Sequence, residues 1–283
     1  MRILVTGADG QLGRECMLLL AGTNHEATGA GHAACDIRNF EAVRRVLSLV
    51  RPDAIVNCAA FTAVDAAESN RERAFAVNAD GPRNLARAAV DTSSVLCHMS
   101  TDFVFDGTAT TPIREDAQPR PINAYGESKL AGEEAVQETS GDHIIIRTSW
   151  LYGQQGPNFV LTMRRLAHER DRLRVVADQI GSPTWTGHLA PAIIRLIELE
   201  QRGTFHVSNS GAVSWHGFAA TIIAESDLNV PVDAITTDEY PTPARRPRYS
   251  VLENRRWREI GEPALPHWRD GLRSYLGELS NHT

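Results

Sequence analysis

A glycine-rich loop close to the first residue constrains the fold more than any other feature of the sequence. Gly7–Gly13 carries glycine at its first, fourth and seventh positions, directly after the apolar run Ile3–Val5 and before a helical apolar pattern over Leu12–Leu20. This glycine spacing permits a tight turn, lets backbone amides approach a pyrophosphate and points the positive end of a helix at it. The loop therefore predicts a dinucleotide-binding unit, with Gly7, Gly10 and Gly13 next to the nucleotide.

Apolar, β-branched runs alternate with helical patterns over the first half of the chain. The predicted strands are Ile3–Val5, Ala54–Asn57, Val95–Met99 and Ile144–Arg147, and the predicted helices are Leu12–Leu20, Phe40–Val50, Arg71–Ala89 and Tyr125–Glu138. Continuously apolar strands that alternate with helices are typical of a parallel sheet covered on both faces. We therefore predict an α/β protein with a doubly wound, Rossmann-type parallel sheet.

The pattern changes after Arg147. The next predicted elements are a loop over 150–158, a helix over Phe159–His168, a strand over Leu173–Val176, a loop over Gln179–Thr186, a helix over Leu189–Glu200 and a strand over Thr204–Val207. Repeated prolines beyond this strand predict irregular structure with short helices. We expect a nucleotide domain of residues 1–150 plus about 187–212, and a smaller, discontinuous α/β substrate domain of about 151–186 plus 213–283.

Composition excludes several classes of function. A net charge of -6 and a pI near 5.9 argue against a nucleic-acid partner. No apolar run of about 18 residues predicts a membrane span, and the start of the chain leads directly into a strand pattern instead of a signal peptide. We expect a cytoplasmic protein without membrane partners. The scattered cysteines, Cys16, Cys35, Cys58 and Cys97, predict neither a disulfide framework nor a metal site.

Tyr125 and Lys129 stand four positions apart in a predicted helix and therefore share one face. A neighbouring ammonium favours the phenolate, so Lys129 is expected to lower the pKa of Tyr125 toward the range of acid–base catalysis. Ser100 and Thr101 end the fourth predicted strand, at the sheet edge where such folds bind ligands. Either hydroxyl could orient a substrate carbonyl toward Tyr125.

The choice between NADH and NADPH stays open because the expected nucleotide contacts are incomplete. The stretch 26–32 carries no acidic residue at its end to bind a ribose hydroxyl, and no arginine for a 2′-phosphate. Asp36 follows it and could lie beside the adenine or ribose. Small residues over 57–62 permit close passage of a nucleotide. Asn78 either braces the sheet or the lysine, or faces solvent from a helix.

Several longer motifs occur in one order along nearly the whole chain. They are Cys58–Glu68, Ser100–Phe105, Tyr125–Glu133, Arg147–Gly153, Asp178–Thr184 and Arg246–Ser250. With the glycine loop, they resemble the dTDP-4-dehydrorhamnose reductases, a family of the extended short-chain dehydrogenase/reductase superfamily. The resemblance implies reduction of the C4 ketone of dTDP-4-dehydro-β-L-rhamnose to dTDP-L-rhamnose, the last step of dTDP-rhamnose synthesis, with NADPH or NADH.

The resemblance also implies roles for individual residues. Thr101, Tyr125 and Lys129 would be catalytic. The residues that would line the cofactor are Gly7, Gly10, Gln11, Leu12, Gly13, Asp36, Ile37, Ala60, Phe61, Thr62, Asn78, Ser100, Tyr125 and Lys129. The residues that would bind the dTDP-4-keto-6-deoxy sugar are Thr101, Asp102, Trp150, Gln179 and Arg246.

Some positions depart from the family pattern. Phe103 stands where many relatives have tyrosine and where sugar dehydratases place a glutamate, which disfavours dehydration. Glu15 and Glu278 match two positions of a metal bridge between subunits, but Trp185–His188 offers no third carboxylate. No metal is therefore expected, and the protein would be a monomer or a homodimer. The alternatives are an epimerase, a sibling ketoreductase for another deoxysugar, and a non-catalytic NAD(P)-binding regulatory subunit.

Overall fold

The computed structural model describes residues 1–281 and has a parallel sheet at its centre. Its strands are β1 (Arg2–Thr6), β2 (Glu26–Ala30), β3 (Ala54–Asn57), β4 (Val95–Thr101), β5 (His143–Thr148), β6 (Leu151–Tyr152), β7 (Leu173–Val176), β8 (Ile180–Gly181), β9 (Thr184–Trp185), β10 (Gly203–His206), β11 (Val213–Ser214) and β12 (Val232–Ile235). Six of them form the central sheet in the order β10-β5-β4-β3-β1-β2, with every pair parallel. The predicted strands of the first half all lie within this sheet.

Helices cover both faces of the sheet. They are α1 (Gln11–Ala21), α2 (Phe40–Val50), α3 (Val64–Ser69), α4 (Arg71–Phe75), α5 (Gly81–Thr92), α6 (Ala124–Thr139), α7 (Phe159–Glu169), α8 (Thr186–Glu198), α9 (Trp215–Glu225), α10 (Arg255–Glu259) and α11 (Trp268–Asn281). The helices of residues 1–281 are all too short or too polar to span a lipid bilayer.

Successive residues of β1 divide the core between the two faces. Ile3 and Val5 pack in a cluster with α1 and α8, whereas Leu4 packs in a second cluster with α2 and α5. This alternation follows from the two-residue period of a strand, and it favours consecutive apolar residues because both faces are covered. The predicted doubly wound α/β fold is confirmed.

The prediction of one continuous helix over Arg71–Ala89 is wrong for its central residues. A π-helical turn over Ala76–Asp80 separates α4 from α5. Pro82 explains it, because proline has no N–H for the carbonyl four residues earlier and its ring crowds that carbonyl. The carbonyl concerned belongs to Asn78, and α6 passes so close to it that a Cβ on Gly132 would lie 2.0 Å from its oxygen.

The expectation of irregular structure with short helices beyond residue 207 is wrong in part. Helices α9 and α11 contain 11 and 14 residues, and β12 pairs with β7. The predicted loop over 179–186 contains β8 and β9, and α3 was not predicted. Apolar residues at helical spacing in α9 and α11 bury themselves against α7 and β9, forming a third cluster from residues 152–185 and 218–276. Residues 282–283 of the expected substrate domain lie outside the described part of the chain.

Candidate active site

The glycine loop forms a cradle between β1 and α1. Gly7 has a φ of 66°, and a Cβ on it would lie 2.5 Å from the backbone nitrogen of Ala59. A Cβ on Gly13 would lie 2.2 Å from the carbonyl oxygen of Gly7. Gly10 caps α1 without any side chain over the helix end. The first amides of α1 are thus uncovered, which suits a pyrophosphate.

A pocket opens beside this cradle at the carboxyl ends of the strands. Six of the residues predicted to line the cofactor border it: Gly7, Gly10, Asp36, Ile37, Ala60 and Phe61. Thr62 is exposed next to Phe61, and Gln11 begins α1. The side chain of Leu12 is buried in the core below the loop, so only its backbone can face a nucleotide.

Asp9 takes the place that a side chain at the end of β2 would fill. A Cβ on Gly31, which directly follows β2, would lie 1.7 Å from the Asp9 carboxylate. The glycine loop therefore supplies the acidic group that is missing at the end of the stretch 26–32. Asp9 was not predicted as a site residue, because an acid was expected at the end of β2 itself. Glycine at position 31, which leaves room for the Asp9 carboxylate, was the available signal.

Arg38 is a second unpredicted residue of this pocket. Its guanidinium donates to both carboxylate oxygens of Asp36, with its Nε and Nη2 2.9 and 2.7 Å from Oδ1 and Oδ2. These hydrogen bonds are the main reason why the pKa of Asp36 is lowered. The pocket thus holds one paired carboxylate, Asp36, beside the carboxylate of Asp9.

Asn78 and Ser100 lie within the protein and not at its surface. Asn78 accepts from the Phe61 amide at 2.8 Å and donates to the Ser128 hydroxyl at 2.9 Å. It therefore braces the pocket wall against α6, and the solvent-facing alternative is wrong. The Ser100 hydroxyl donates at 2.5 Å to Glu133, which forms a buried ion pair with Arg147. That hydroxyl is thus engaged inside the sheet, which leaves Thr101 as the hydroxyl beside Tyr125.

Tyr125 and Thr101 meet where α6 begins and β4 ends. The pKa of Tyr125 is raised to about 12, chiefly by burial, while a hydrogen bond with Thr101 lowers it and the charge of Asp102 raises it. The predicted lowering of this pKa by Lys129 is therefore wrong, because burial of the hydroxyl dominates. Tyr125 is a neutral phenol at physiological pH and can donate a proton.

Lys129 is buried one turn along the helix from Tyr125. Its amine donates to the carbonyl oxygen of Met99 at 2.6 Å and lies 3.4 Å from Nε2 of His98. Burial lowers the pKa of Lys129 to about 8, against opposing contributions from Glu133 and Cys58. This amine can therefore change its charge near physiological pH.

Asp102 follows Thr101 and is almost fully buried. Its Oδ1 accepts from the Thr101 hydroxyl at 3.0 Å, while its Oδ2 has no hydrogen-bond partner within residues 1–281. Burial raises the pKa of Asp102 to about 6, although interactions with Ser250 and Thr101 lower it. A buried oxygen without a partner is costly, so it is well suited to accept a hydrogen bond from a ligand.

The remaining predicted substrate residues lie in the part of the chain after β5. Trp150 adopts a φ of 47° and stacks on Trp215, with ring centroids 3.4 Å apart. Gln179 donates to the Thr237 hydroxyl at 3.0 Å. Arg246 forms an ion pair with Asp65 at 2.7 Å, which ties the loop after β12 to α3. Trp215 was not predicted as a site residue.

Glu15 and Glu278 are neighbours, as the family pattern implies. Burial is the main cause that raises the pKa of Glu15, and the charge of Glu278 raises it further. Glu15 accepts from the Thr186 hydroxyl at 3.0 Å. Within residues 1–281, no group of three or more His, Cys, Asp or Glu side chains is arranged to hold a metal ion.

Comparison with known proteins gives a consistent result. The chain is 42% identical to a dTDP-4-dehydrorhamnose reductase of Burkholderia thailandensis, over 95% of this chain and 96% of that protein. It is also 42% identical to a dTDP-4-keto-6-deoxy-D-glucose reductase of Streptomyces niveus, over 96% of this chain and 95% of that protein. The crystal structure of the Bacillus anthracis dTDP-4-dehydrorhamnose reductase in complex with NADP superposes with a TM-score of 0.96 at 42% identity, covering 98% of this chain and 99% of that one. The family model of the RmlD substrate binding domain matches residues 1–281, and the chain belongs to this family.

Proposed function

We propose that this protein reduces the C4 ketone of dTDP-4-dehydro-β-L-rhamnose to dTDP-L-rhamnose with NADPH or NADH. The observation that carries the proposal is the placement of the half-buried Tyr125 against Thr101 and Phe103 at the end of β4, on the same edge of the sheet as a cradle suited to a pyrophosphate. A proton donor, a second hydroxyl and a nucleotide cradle are the groups that reduction of a ketone requires.

Tyr125 is the proton donor in this proposal. Its phenol stays protonated at neutral pH because its pKa is raised to about 12, so it can protonate the alkoxide oxygen that forms at C4. Thr101 shares a hydrogen bond with Tyr125, and its hydroxyl can turn from Asp102 to hold the same oxygen in place. Together they orient the carbonyl and stabilise the charge that develops on it.

Lys129 supports the reaction through its charge. Donation of the proton leaves a phenolate on Tyr125, and an ammonium one helical turn away on the same face stabilises it. Lys129 is a cation below its pKa of about 8, so this support is present at neutral pH and is lost as pH rises through that value. Lys129 would also contact the nicotinamide ribose.

The nucleotide would lie in the pocket beside the glycine loop, with its pyrophosphate on the cradle of Gly7, Gly10 and Gly13. When bound, the nicotinamide supplies the hydride. Ile37, Ala60 and Phe61 would line the adenosine half, and Asn78 keeps Phe61 in place through hydrogen bonds to its backbone. The related Bacillus anthracis structure holds NADP, which supports this assignment.

The sugar nucleotide would bind between the sheet and the third apolar cluster. The buried residues of that cluster come from 152–185 and 218–276, which supports a substrate domain formed by about 151–186 and the segment from 213 onward. Asp102 would accept a sugar hydroxyl, Trp150 would lie against the sugar, and Gln179 and Arg246 would hold the diphosphate. An arginine fork suits phosphate oxygens.

Turnover with defined substrates tests the function. The purified chain is given the dTDP-4-keto-6-deoxy-L-sugar, and oxidation of NADH and of NADPH is followed separately, with product identified by NMR. We expect oxidation of cofactor coupled to formation of dTDP-L-rhamnose. Binding of nucleotide without any turnover would contradict the assignment and support a non-catalytic regulatory subunit.

A reductase for a different dTDP-4-keto-deoxysugar is the second candidate. The Streptomyces niveus relative named for dTDP-4-keto-6-deoxy-D-glucose is as similar to this chain as the Burkholderia thailandensis dTDP-4-dehydrorhamnose reductase, at 42% identity each. Offering that D-sugar in the same assay separates the two candidates, since a higher kcat/KM for the D-sugar would favour the second. Dehydration is disfavoured because the apolar Phe103 occupies the position next to Tyr125 that would need a carboxylate.

A further inference from the structure

His98 connects β3 with Lys129 in the interior of the protein. It lies in β4 opposite Asn57 of β3 and has no exposed surface. Its Nδ1 lies 2.9 Å from Nδ2 of Asn57, and its Nε2 lies 3.4 Å from Nζ of Lys129. Each ring nitrogen therefore has one polar neighbour, on opposite sides of the ring.

The orientation of the Asn57 amide decides which nitrogen of His98 carries the proton. Asn57 Oδ1 lies 3.1 Å from the Ala59 backbone nitrogen and 2.8 Å from the Thr6 hydroxyl. A backbone N–H can only donate, so Oδ1 must be the acceptor and the amide cannot be turned round. Asn57 Nδ2 therefore donates to Nδ1 of His98. Burial and the charge of Lys129 hold the pKa of His98 well below its ordinary value, so the ring is neutral and its one proton is on Nε2.

That proton points at Lys129. An ammonium has no lone pair with which to accept it, whereas a neutral amine has one. The carbonyl oxygen of Met99, 2.6 Å from Nζ, accepts a hydrogen from Lys129 in either state. The contact with His98 therefore distinguishes the two protonation states, and it favours the neutral one.

We propose that His98 is a positioning residue of the proposed reductase, whose Nε2–H, directed by Asn57, faces the Lys129 amine and determines how readily that amine is protonated. The inference rests on the function proposed above and extends it from the three expected catalytic residues to a polar chain of Thr6, Asn57, His98 and Lys129.

Other charged and titratable groups also face Lys129, and none of them depends on His98. Glu133, one turn further along α6, and Cys58, which follows β3, raise the pKa of Lys129, while burial lowers it. Glu133 is paired with Arg147 at 2.6 Å. Tyr125 lies one turn earlier on the same helix. Substitutions at His98 and Asn57 can thus alter Lys129 without changing the charge of the site.

His98→Asn is the primary test. Asparagine can keep an acceptor for Asn57 but does not reach Lys129, so the Nε2–H is lost. The high-pH limb of kcat should move upward by about one pH unit, a shift typical of one polar neighbour. The same shift should appear in the pH dependence of the NADH dissociation constant, measured by fluorescence. His98→Gln can place an amide N–H near the original position and should retain the wild-type limb.

Two further variants make the result decisive. Asn57→Ser removes the amide that directs the His98 proton, so it should move the high-pH limb of kcat upward as His98→Asn does. It also provides the test if His98→Asn does not fold. His206→Asn is the matched control, because His206 is an equally buried histidine that bonds to the Ile113 carbonyl. It should leave the limb unchanged.

The outcomes are separable from those of the proposed function. Folded His98→Asn or Asn57→Ser protein that keeps the wild-type profile in both kcat and NADH binding would overturn the role of His98. Wild-type protein without turnover of the keto sugar would instead contradict the proposed function. The pH dependence of the NADH dissociation constant would still test the role of His98.

Discussion

Phe103 meets the ring of Tyr125 edge to face, with ring centroids 5.5 Å apart and planes at 75°. The 3-10 turn after β4 thereby orients the phenol at the start of α6. Edge-to-face aromatic pairs add about 0.5–1.5 kcal/mol beyond the burial of the rings. Phe103 thus acts on Tyr125 through packing.

Phe103→Ala should lower kcat by about tenfold, since losing about 1.4 kcal/mol of ring packing leaves Tyr125 less well oriented. KM for the sugar nucleotide should change less than kcat. Phe103→Tyr keeps the ring and should stay within about twofold of the wild type. Steady-state kinetics of both variants check this, and a Phe103→Ala enzyme with unchanged kcat would show that the ring contact does not orient Tyr125.

Tyr125→Phe removes the proposed proton donor and keeps the ring against Phe103. We expect kcat to fall by about 100-fold or more, the contribution typical of a general acid. NADH affinity, measured by fluorescence titration, should be nearly unchanged because the cradle lies elsewhere. Near-normal kcat in this variant would remove Tyr125 from the role of proton donor.

Asp9→Asn should improve binding of NADPH relative to NADH. The Asp9 carboxylate lies at the end of β2, where a dinucleotide places its adenosine ribose. There it can accept from a 2′-hydroxyl and repels a 2′-phosphate, at a cost of about 1 kcal/mol for unit charges 4 Å apart in water, or about fivefold. Dissociation constants of both nucleotides measure this. Glu41→Gln, an exposed carboxylate on α2, is the control, and an unchanged NADPH/NADH ratio in Asp9→Asn would exclude Asp9 from cofactor choice.

Trp215→Ala should raise KM for the sugar nucleotide by about tenfold, because a stacked aromatic pair contributes up to about 1.5 kcal/mol. Trp150 stacks on Trp215 with planes only 4° apart, so removing Trp215 frees the indole that is proposed to lie against the sugar. Trp215→Phe retains a stacking ring and should recover most of the loss. A similar rise in the dissociation constant of NADH would point to general damage and not to the sugar site.

Asp102→Asn should stabilise the protein at neutral pH while it weakens substrate binding. The pKa of Asp102 is raised from 3.8 to about 6, so the folded state disfavours the charged carboxylate. Below about pH 4 the group is protonated in both states and costs nothing. As pH rises from there, burial of the charged carboxylate lowers the free energy of unfolding. The loss is complete above about pH 6, where it reaches about 3 kcal/mol for a pKa raised from 3.8 to about 6.

Thermal unfolding at two pH values checks this. Asp102→Asn should have a higher Tm than the wild type at about pH 7 and an equal one at about pH 4. A lower Tm at neutral pH would mean that the bonds to the Asp102 carboxylate outweigh the cost of burying its charge. Sites that trade stability for function show this behaviour when their charged group is removed.

Sequence-based prediction succeeded where local pattern and burial agree. The strands β1, β3, β4 and β5 each contain a run of three consecutive apolar residues, because both faces of the sheet are covered. Helix α2 was predicted with its observed bounds. It failed after residue 207, where the repeated prolines between 231 and 266 led to a prediction of irregular structure for the whole segment. Helix α9 ends before Pro231 and α11 begins after Pro266. Proline breaks a pattern only locally, so these two helices were underestimated.

The sequence by itself determined the phosphate loop, the doubly wound sheet and the order of Thr101, Tyr125 and Lys129, because glycine spacing and strand and helix periods are local properties. Tertiary structure alone decided the electrostatics of the site. Burial raises the pKa of Tyr125 and lowers that of Lys129, the reverse of what adjacency on one helix predicted for Tyr125. The contacts of Lys129 with His98 and Met99 join β4 to α6, and no local pattern encodes them. Desolvation and hydrogen bonds between distant segments depend on packing, so only the folded chain sets the protonation of the site.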